Sequence, residues 1–300
     1  MQPVVSQQAH SGAPPQSVRV VPSGSAIGAE IVGIKNLADV SDAVIAILQD
    51  ALNKYSVIVI RNQDLSPDAQ LAFTRRFGPI RSHSYSKSNK FVVPGYTDIE
   101  VVSNVIRDGR PIGVSDAGVI WHTDGSFLAK PGTLTFLHAL MVPVRDGKVL
   151  GPTLFASTRE AFKALPKEMQ DRITPMNAVH SLVDHIEKKR RMGNLKRPPP
   201  SEAYKAEVPD VTHPVARPHP TTGERCIFVS EAHTSRILGL PQDESDALLH
   251  ELCEHIKKPE FGYRHEWQKG DVLIWDNAPT QHLAVSDYGD LPRLMNRTTT

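Results

Sequence analysis

From Glu100 to the C-terminus the chain breaks into apolar stretches too short for helices and separated by turn residues, and this pattern restricts the fold more than any other feature. Candidate strands cover 100–106, 118–124, 133–140, 152–156, 177–183, 213–218, 225–230, 262–267, 271–276, 281–286 and 294–299. Two helical patterns interrupt them. One covers 157–164, and a longer one covers 242–257, where Leu248, Leu249, Leu252 and Ile256 form a stripe. Many short strands with few helices indicate a mainly β chain with outer helices, a β-sandwich or jelly roll, and not an alternating parallel α/β sheet.

Residues 1–17 are rich in Gln, Ser, Pro and Ala without periodicity and read as a disordered tail. Order starts near Val18, where Val18-Arg19-Val20-Val21 precedes a run punctuated by Gly24, Gly28 and Gly33. Ser41 suits an N-cap above the stripe Val44, Ile45, Ile47, Leu48 and Leu52, and Ser56 to Ile60 suits a buried strand. A second helix has Ser66 as its cap, Pro67 in its first turn and Gly78 as a left-handed closing residue. Residues 81–99 read as a functional loop. A polar, basic segment at 185–212 holds Lys188-Lys189-Arg190-Arg191 and reads either as a solvated excursion or as a mobile lid over a pocket. With no internal repeat, 18–300 is expected to be a single domain.

Charge is nearly balanced, 34 basic residues against 33 acidic ones, so no global field favours nucleic acid or an anionic membrane. The longest apolar runs, such as Val57–Ile60, are strand-sized and cannot span a bilayer. The first residues lack the basic and apolar regions of a secretory signal. Cys226 and Cys253 are too few for a disulfide framework, which suits a reducing, cytoplasmic location.

The chemistry centres on Trp121-His122-Thr123-Asp124-Gly125. Side chains two apart on an extended strand share a face, so His122 and Asp124 are expected to supply two ligands of a metal site. His282 follows Trp275-Asp276-Asn277 across a turn and would supply the third. Two imidazoles and one carboxylate suit iron(II) with open positions. Arg293 and Arg297 lie shortly beyond, and a guanidinium is the natural fork for the far carboxylate of a dicarboxylate co-substrate.

These stretches, with Phe77-Gly78, Thr153-Leu154-Phe155-Ala156, His213-Pro214, His219-Pro220, Lys258-Pro259-Glu260-Phe261 and Arg293-Leu294-Met295-Asn296-Arg297, resemble the taurine dioxygenase and 2,4-dichlorophenoxyacetate dioxygenase family. The resemblance runs from about Val18 to the C-terminus. It implies a double-stranded β-helix in which His122, Asp124 and His282 hold Fe(II), and a reaction that consumes O2 and 2-oxoglutarate. Products would be succinate, carbon dioxide and a hydroxylated substrate. By the same resemblance Arg293 and Thr153 hold the far carboxylate of 2-oxoglutarate, and Arg297 lies near its metal-bound end or near an anionic group of the substrate. Because Asp124 is present, hydroxylation is favoured over halogenation. Relatives are commonly dimers or tetramers, so a homo-oligomer is the matching expectation.

His83 falls where taurine enzymes contact the sulfonate, or else is an ordinary loop histidine. His233 replaces a pocket Phe, and Tyr85 is out of register with the taurine tyrosine. A small or medium organic anion other than taurine therefore fits, such as another sulfonate, a sulfate ester or an aryloxyalkanoate, with His83, His233 and Arg297 as its polar contacts. Ala278 stands where many relatives carry Arg. The competing classes are a catalytically silent 2-oxoglutarate- or metal-binding protein on the same fold and a structural zinc protein, the latter disfavoured by a three-ligand set poor in cysteine.

Overall fold

A computed structural model describes residues 17–81, 91–193 and 199–300. The paired strands Val57–Ile60 and Val272–Asp276 explain how its layers form. Every residue of both is buried, and successive side chains leave a strand on opposite faces. Ile58, Ile60, Val272 and Ile274 pack under two helices, Asp42–Tyr55 and Pro67–Arg75, which contribute Ile45, Leu48, Leu52 and Phe73. Val57, Val59, Leu273 and Trp275 face the other way, onto Phe155 and Trp267. Burying each of these side chains contributes about 1.5–3 kcal/mol. A continuous apolar run thus marks a strand covered on both faces.

These strands are central in an eight-stranded sheet. Its order is Arg19–Pro22, Ala29–Val32, Val57–Ile60, Val272–Asp276, Leu134–Met141, Leu294–Thr299, Tyr96–Ser103 and Val92–Val93. All neighbours are antiparallel except Ala29–Val32 with Val57–Ile60. A second antiparallel sheet, ordered Gly262–His265, Thr153–Ser157, Thr280–Ala284, closes over the inner face. Phe155 points into the layer between the sheets, whereas Ala156 points outward. The outward face is covered by the helices Thr158–Ala164 and Gln242–Ile256 through Phe162, Leu248, Leu252 and Ile256. The chain is therefore mainly sheet with helices outside.

Ser41 and Ser66 cap the first two helices as read, each accepting from a backbone N–H three residues on. Several expectations are corrected. The second helix ends at Arg75 with Arg76 still right-handed, and Gly78 has φ +151, so it is not the left-handed closing residue. Residues 118–124 form no strand; only His122 makes an isolated bridge. The reading of 177–183 as strand is half right, because Ser181 caps a helix, Leu182–Arg191, that takes over after Asn177–His180. That helix and a second one, Glu202–Glu207, occupy much of the basic segment read as a loop. Its charge run concealed a helix whose one apolar-facing side is short. The tail 1–16 and part of the 81–99 loop, 82–90, lie outside the described residues.

Candidate functional site

His122 and His282 come together through their backbones. His122 N donates to His282 O at 3.2 Å and His282 N to His122 O at 2.9 Å, an antiparallel bridge that extends the smaller sheet by one residue pair. Thr123 Oγ1 fastens the same segment by donating to Thr280 O at 2.9 Å. Gly125, at φ +66, then turns the chain, which favours glycine there. Asp124 Oδ1 ends 3.3 Å from His122 Nε2 and 3.9 Å from His282 Nε2, and one ligand atom from each residue lies within 4.8 Å of the others. His122 and Asp124 do meet on one side, by a bridge and a turn and not by strand alternation.

The protonation pattern follows from the neighbours. Ile120 O, 2.9 Å from His122 Nδ1, can only accept, so Nδ1 carries a proton and Nε2 is the nitrogen turned toward Asp124. Burial pulls the His282 pKa down to about 3, with His122 and Arg297 adding to the shift against the opposing pull of Asp124, so its ring is neutral. Burial alone would raise the Asp124 pKa, but Arg297, His282 and His122 outweigh it and hold the carboxyl well below its usual range. The neutral His282 imidazole and the ionised Asp124 carboxylate are in the donor states a divalent metal requires. The His282 ring is walled by Phe155 at 5.6 Å and Trp275 at 4.8 Å between centroids.

Arg293 and Arg297 line a cavity of about 40 Å³ together with Thr153, His282 and Trp275. The two arginines differ in their partners. Arg297 donates Nε to Glu100 Oε2 at 2.7 Å, pairs with it again through Nη2, and points Nη1 at Asp124 Oδ1, 3.4 Å away. Arg293 is 5% exposed, lies against Trp267 with 5.9 Å from guanidinium carbon to ring centroid, and has an Nε without a hydrogen-bond partner. Burial pulls its pKa down. A buried cation without a carboxylate among the described residues is costly unless a ligand supplies one. Thr153 Oγ1 accepts from Trp267 Nε1 at 3.1 Å, which leaves its own proton to donate.

On the other side of His122 and Arg297 opens a cavity of about 210 Å³. His233 lines it, held by Ser126 Oγ at 3.1 Å from its Nδ1 and packed on Phe127. Its far wall comes from the segment that the sequence left open as a lid or a solvated excursion. Leu182, His185 and Lys189 share one face of the helix Leu182–Arg191 and line this cavity. Lys189 pairs with the Asp116 carboxylate and donates to Asp116 O at 3.0 Å. The i, i+3, i+7 spacing was the available signal, masked by the surrounding basic run. Glu100 was also missed, having been read only as the start of a strand. His83 and Tyr85 lie outside the described residues. A larger groove of about 410 Å³ includes Asp184 and Lys188 of the same helix but none of the three converging ligands.

Three other buried histidines are fixed by hydrogen bonds. His138 Nε2 reaches Gln63 O at 3.1 Å, His213 Nε2 reaches Leu128 O at 2.9 Å, and His219 Nε2 donates to Asp276 Oδ2 at 2.8 Å. Asp276 also accepts from Ala278 N at 3.0 Å, so the missing Arg at 278 leaves this carboxylate satisfied.

The family described as "Taurine catabolism dioxygenase TauD, TfdA family" matches residues 19–299. The chain belongs to the TauD/TfdA family. It is 32% identical to pentalenolactone F synthase of Streptomyces arenae, over 86% of this chain and 87% of that protein. It is 33% identical to the alpha-ketoglutarate-dependent 2,4-dichlorophenoxyacetate dioxygenase of Cupriavidus pinatubonensis, over 78% and 80%. Among solved structures, AAD-2 in complex with Mn(II) and N-oxalylglycine superposes with a TM-score of 0.77 at 25% identity, covering 95% of this chain and 97% of that one. As a TauD/TfdA protein the chain is an iron(II)- and 2-oxoglutarate-dependent dioxygenase that uses O2. None of its described helices is long and apolar enough to cross a membrane.

Proposed function

We propose that His122, Asp124 and His282 hold the iron, that Arg293 and Thr153 bind the far carboxylate of 2-oxoglutarate, and that the 210 Å³ cavity takes the prime substrate. The observation that carries this reading is the pairing of a metal-sized His-Asp-His cluster with a deeply buried guanidinium that has no carboxylate partner among the described residues. The bound iron would let O2 oxidise 2-oxoglutarate, which would leave as succinate and carbon dioxide, and a substrate C–H bond, one oxygen atom going to each product. The chain itself binds, orients and excludes water. His122 offers Nε2 because Ile120 O holds the other ring proton. Thr153 is turned to donate by the Trp267 N–H that it accepts. Arg297, steadied by Glu100, sits between the two cavities beside Asp124 and is suited to an anionic group at their junction.

The prime substrate is a small or medium organic anion of the sulfonate, sulfate ester or aryloxyalkanoate type. The cavity size, Arg297 at its junction with the smaller cavity and His233 on its wall support this class. His83 remains a proposed contact beside His233 and Arg297. The two facing sheets support a double-stranded β-helix, and their shared inner core supports a single domain over 18–300. The helix Leu182–Arg191, which lines the cavity, is the part of 185–212 that acts as a lid. A cytoplasmic homo-oligomer completes the proposal, and light scattering tests the assembly.

Succinate formation is the test, measured with iron, 2-oxoglutarate and air against a panel of sulfonates, sulfate esters and aryloxyalkanoates. Substrate-dependent succinate with a hydroxylated or cleaved product supports the substrate class. Binding of Mn(II) and 2-oxoglutarate without turnover on any compound rejects that class.

A further inference from the structure

Asp124 is held by more than the two histidines and Arg297. Thr135, fully buried in the strand Leu134–Met141, lies with its Oγ1 at 2.9 Å from Asp124 Oδ2. A third residue sets the direction of that hydrogen bond. Asn277 donates from Nδ2 to the same Thr135 oxygen at 3.0 Å. An amide nitrogen only donates and an ionised carboxylate only accepts, so the single hydroxyl proton of Thr135 goes to Asp124. Asn277 is itself buried and fixed, its backbone N donating to Thr133 O at 2.9 Å. The other carboxylate oxygen, Oδ1, is the one nearest His122 Nε2 and His282 Nε2.

We propose that Thr135 and Asn277 form a positioning relay that occupies Asp124 Oδ2 and presents Oδ1 alone to the metal. A carboxylate that uses both oxygens would take a coordination position needed by the co-substrate or oxygen, since the two-histidine, one-carboxylate site works through its open positions. The relay therefore keeps Asp124 a one-atom ligand and fixes its plane. Groups that orient a ligating carboxylate in this way typically affect metal affinity by about 10–100-fold. Trp275-Asp276-Asn277 precedes His282, so the segment that supplies one ligand also orients another. The inference rests on the assignment of Asp124 as a ligand.

The test is calorimetric titration with Mn(II), alone and with 2-oxoglutarate, of the full chain and of T135V, T135S, N277D and D124A. Valine keeps the shape of Thr135 and removes its proton, so T135V is expected to weaken Mn(II) binding by about tenfold or more. T135S keeps the proton and is expected to restore binding to within about threefold, by the same reasoning. N277D is the directional probe. Its carboxylate accepts the Thr135 proton and withdraws it from Asp124, so N277D is expected to lose Mn(II) affinity although the hydroxyl is intact. Binding by T135V or N277D that matches the parent protein, while D124A abolishes it, overturns the relay and leaves the ligand assignment standing. Unchanged binding by D124A overturns the ligand assignment itself. If T135V fails to fold, judged by its metal-free melting transition, the contrast of T135S with N277D decides alone.

Discussion

At the scale of single residues, the decisive contrast is between two arginines four positions apart. Residue type alone does not separate them, and the structure gives them different partners. Arg297 is tied to Glu100 and beside Asp124, whereas Arg293 is buried without a carboxylate among the described residues. Arg293→Ala is therefore expected to raise the 2-oxoglutarate dissociation constant by roughly 30-fold or more, since losing one partner of a buried charge pair costs about 2–5 kcal/mol. Arg293→Lys keeps the charge but not the planar fork and should fall between the two. Calorimetry with Mn(II) present checks both; an Arg293→Ala protein that binds 2-oxoglutarate like the parent rejects the clamp. The buried thiols give a second expectation. Burial pushes Cys226 and Cys253 up to about 12, so neither supplies thiolate near neutral pH. A thiol-reactive chromogen should titrate both only after denaturation, and rapid labelling of the native protein would contradict this.

At the scale of elements, the helix Leu182–Arg191 is the part that changed most between sequence and structure. Its four consecutive basic residues suggested solvation, yet Lys189 is buried and paired with Asp116 at the wall of the 210 Å³ cavity. The helix is thus tied to the 114–119 loop by one ion pair at the cavity wall. Lys189→Met keeps the hydrophobic stem and removes the ammonium. It is expected to destabilise the fold by roughly 1–3 kcal/mol, between the values for exposed and buried pairs. It should also raise the KM for the prime substrate while leaving that for 2-oxoglutarate nearly unchanged, because Lys189 lines only the larger cavity. Urea denaturation and steady-state kinetics read the two effects; equal changes in both KM values would show that the helix has no separate role in substrate binding.

At the scale of the whole molecule, several histidines are buried in a neutral form, and this couples stability to pH. Burial and the nearby His213 and Arg217 pull the His180 pKa from 6.5 down to about 3. An unfolded His180 takes up a proton below 6.5 and the folded one does not until about 3, so the unfolded state binds more protons in that window. The stabilisation is complete above about 6.5 and is lost progressively as pH falls toward 3. Each such group contributes a slope of about 1.4 kcal/mol per pH unit there. His180→Phe, which preserves the packing on Phe228, is expected to flatten the acid limb of the stability curve by up to that amount. Chemical denaturation across the window checks it, and an unchanged slope would mean that His180 is already protonated in the folded protein.

The convergence of His122, Asp124 and His282, the capped helices at Ser41 and Ser66 and most central strands were legible from residue type, spacing, alternation and the family resemblance. Val57–Ile60 and Val272–Asp276 had to be buried strands wherever they lay in the fold. What the linear order left undecided was how distant groups divide their partners. The bridge between His122 and His282, the pairing of Glu100 with Arg297, and the reach of Lys189 to Asp116 each join segments far apart in the chain. A side chain's hydrogen bonds and charge state are set by whatever packs beside it, and sequence spacing carries no information on that. Residue chemistry therefore determined what reaction this chain is equipped for, and the tertiary structure decided which arginine meets a carboxylate among the described residues and which helix walls the cavity.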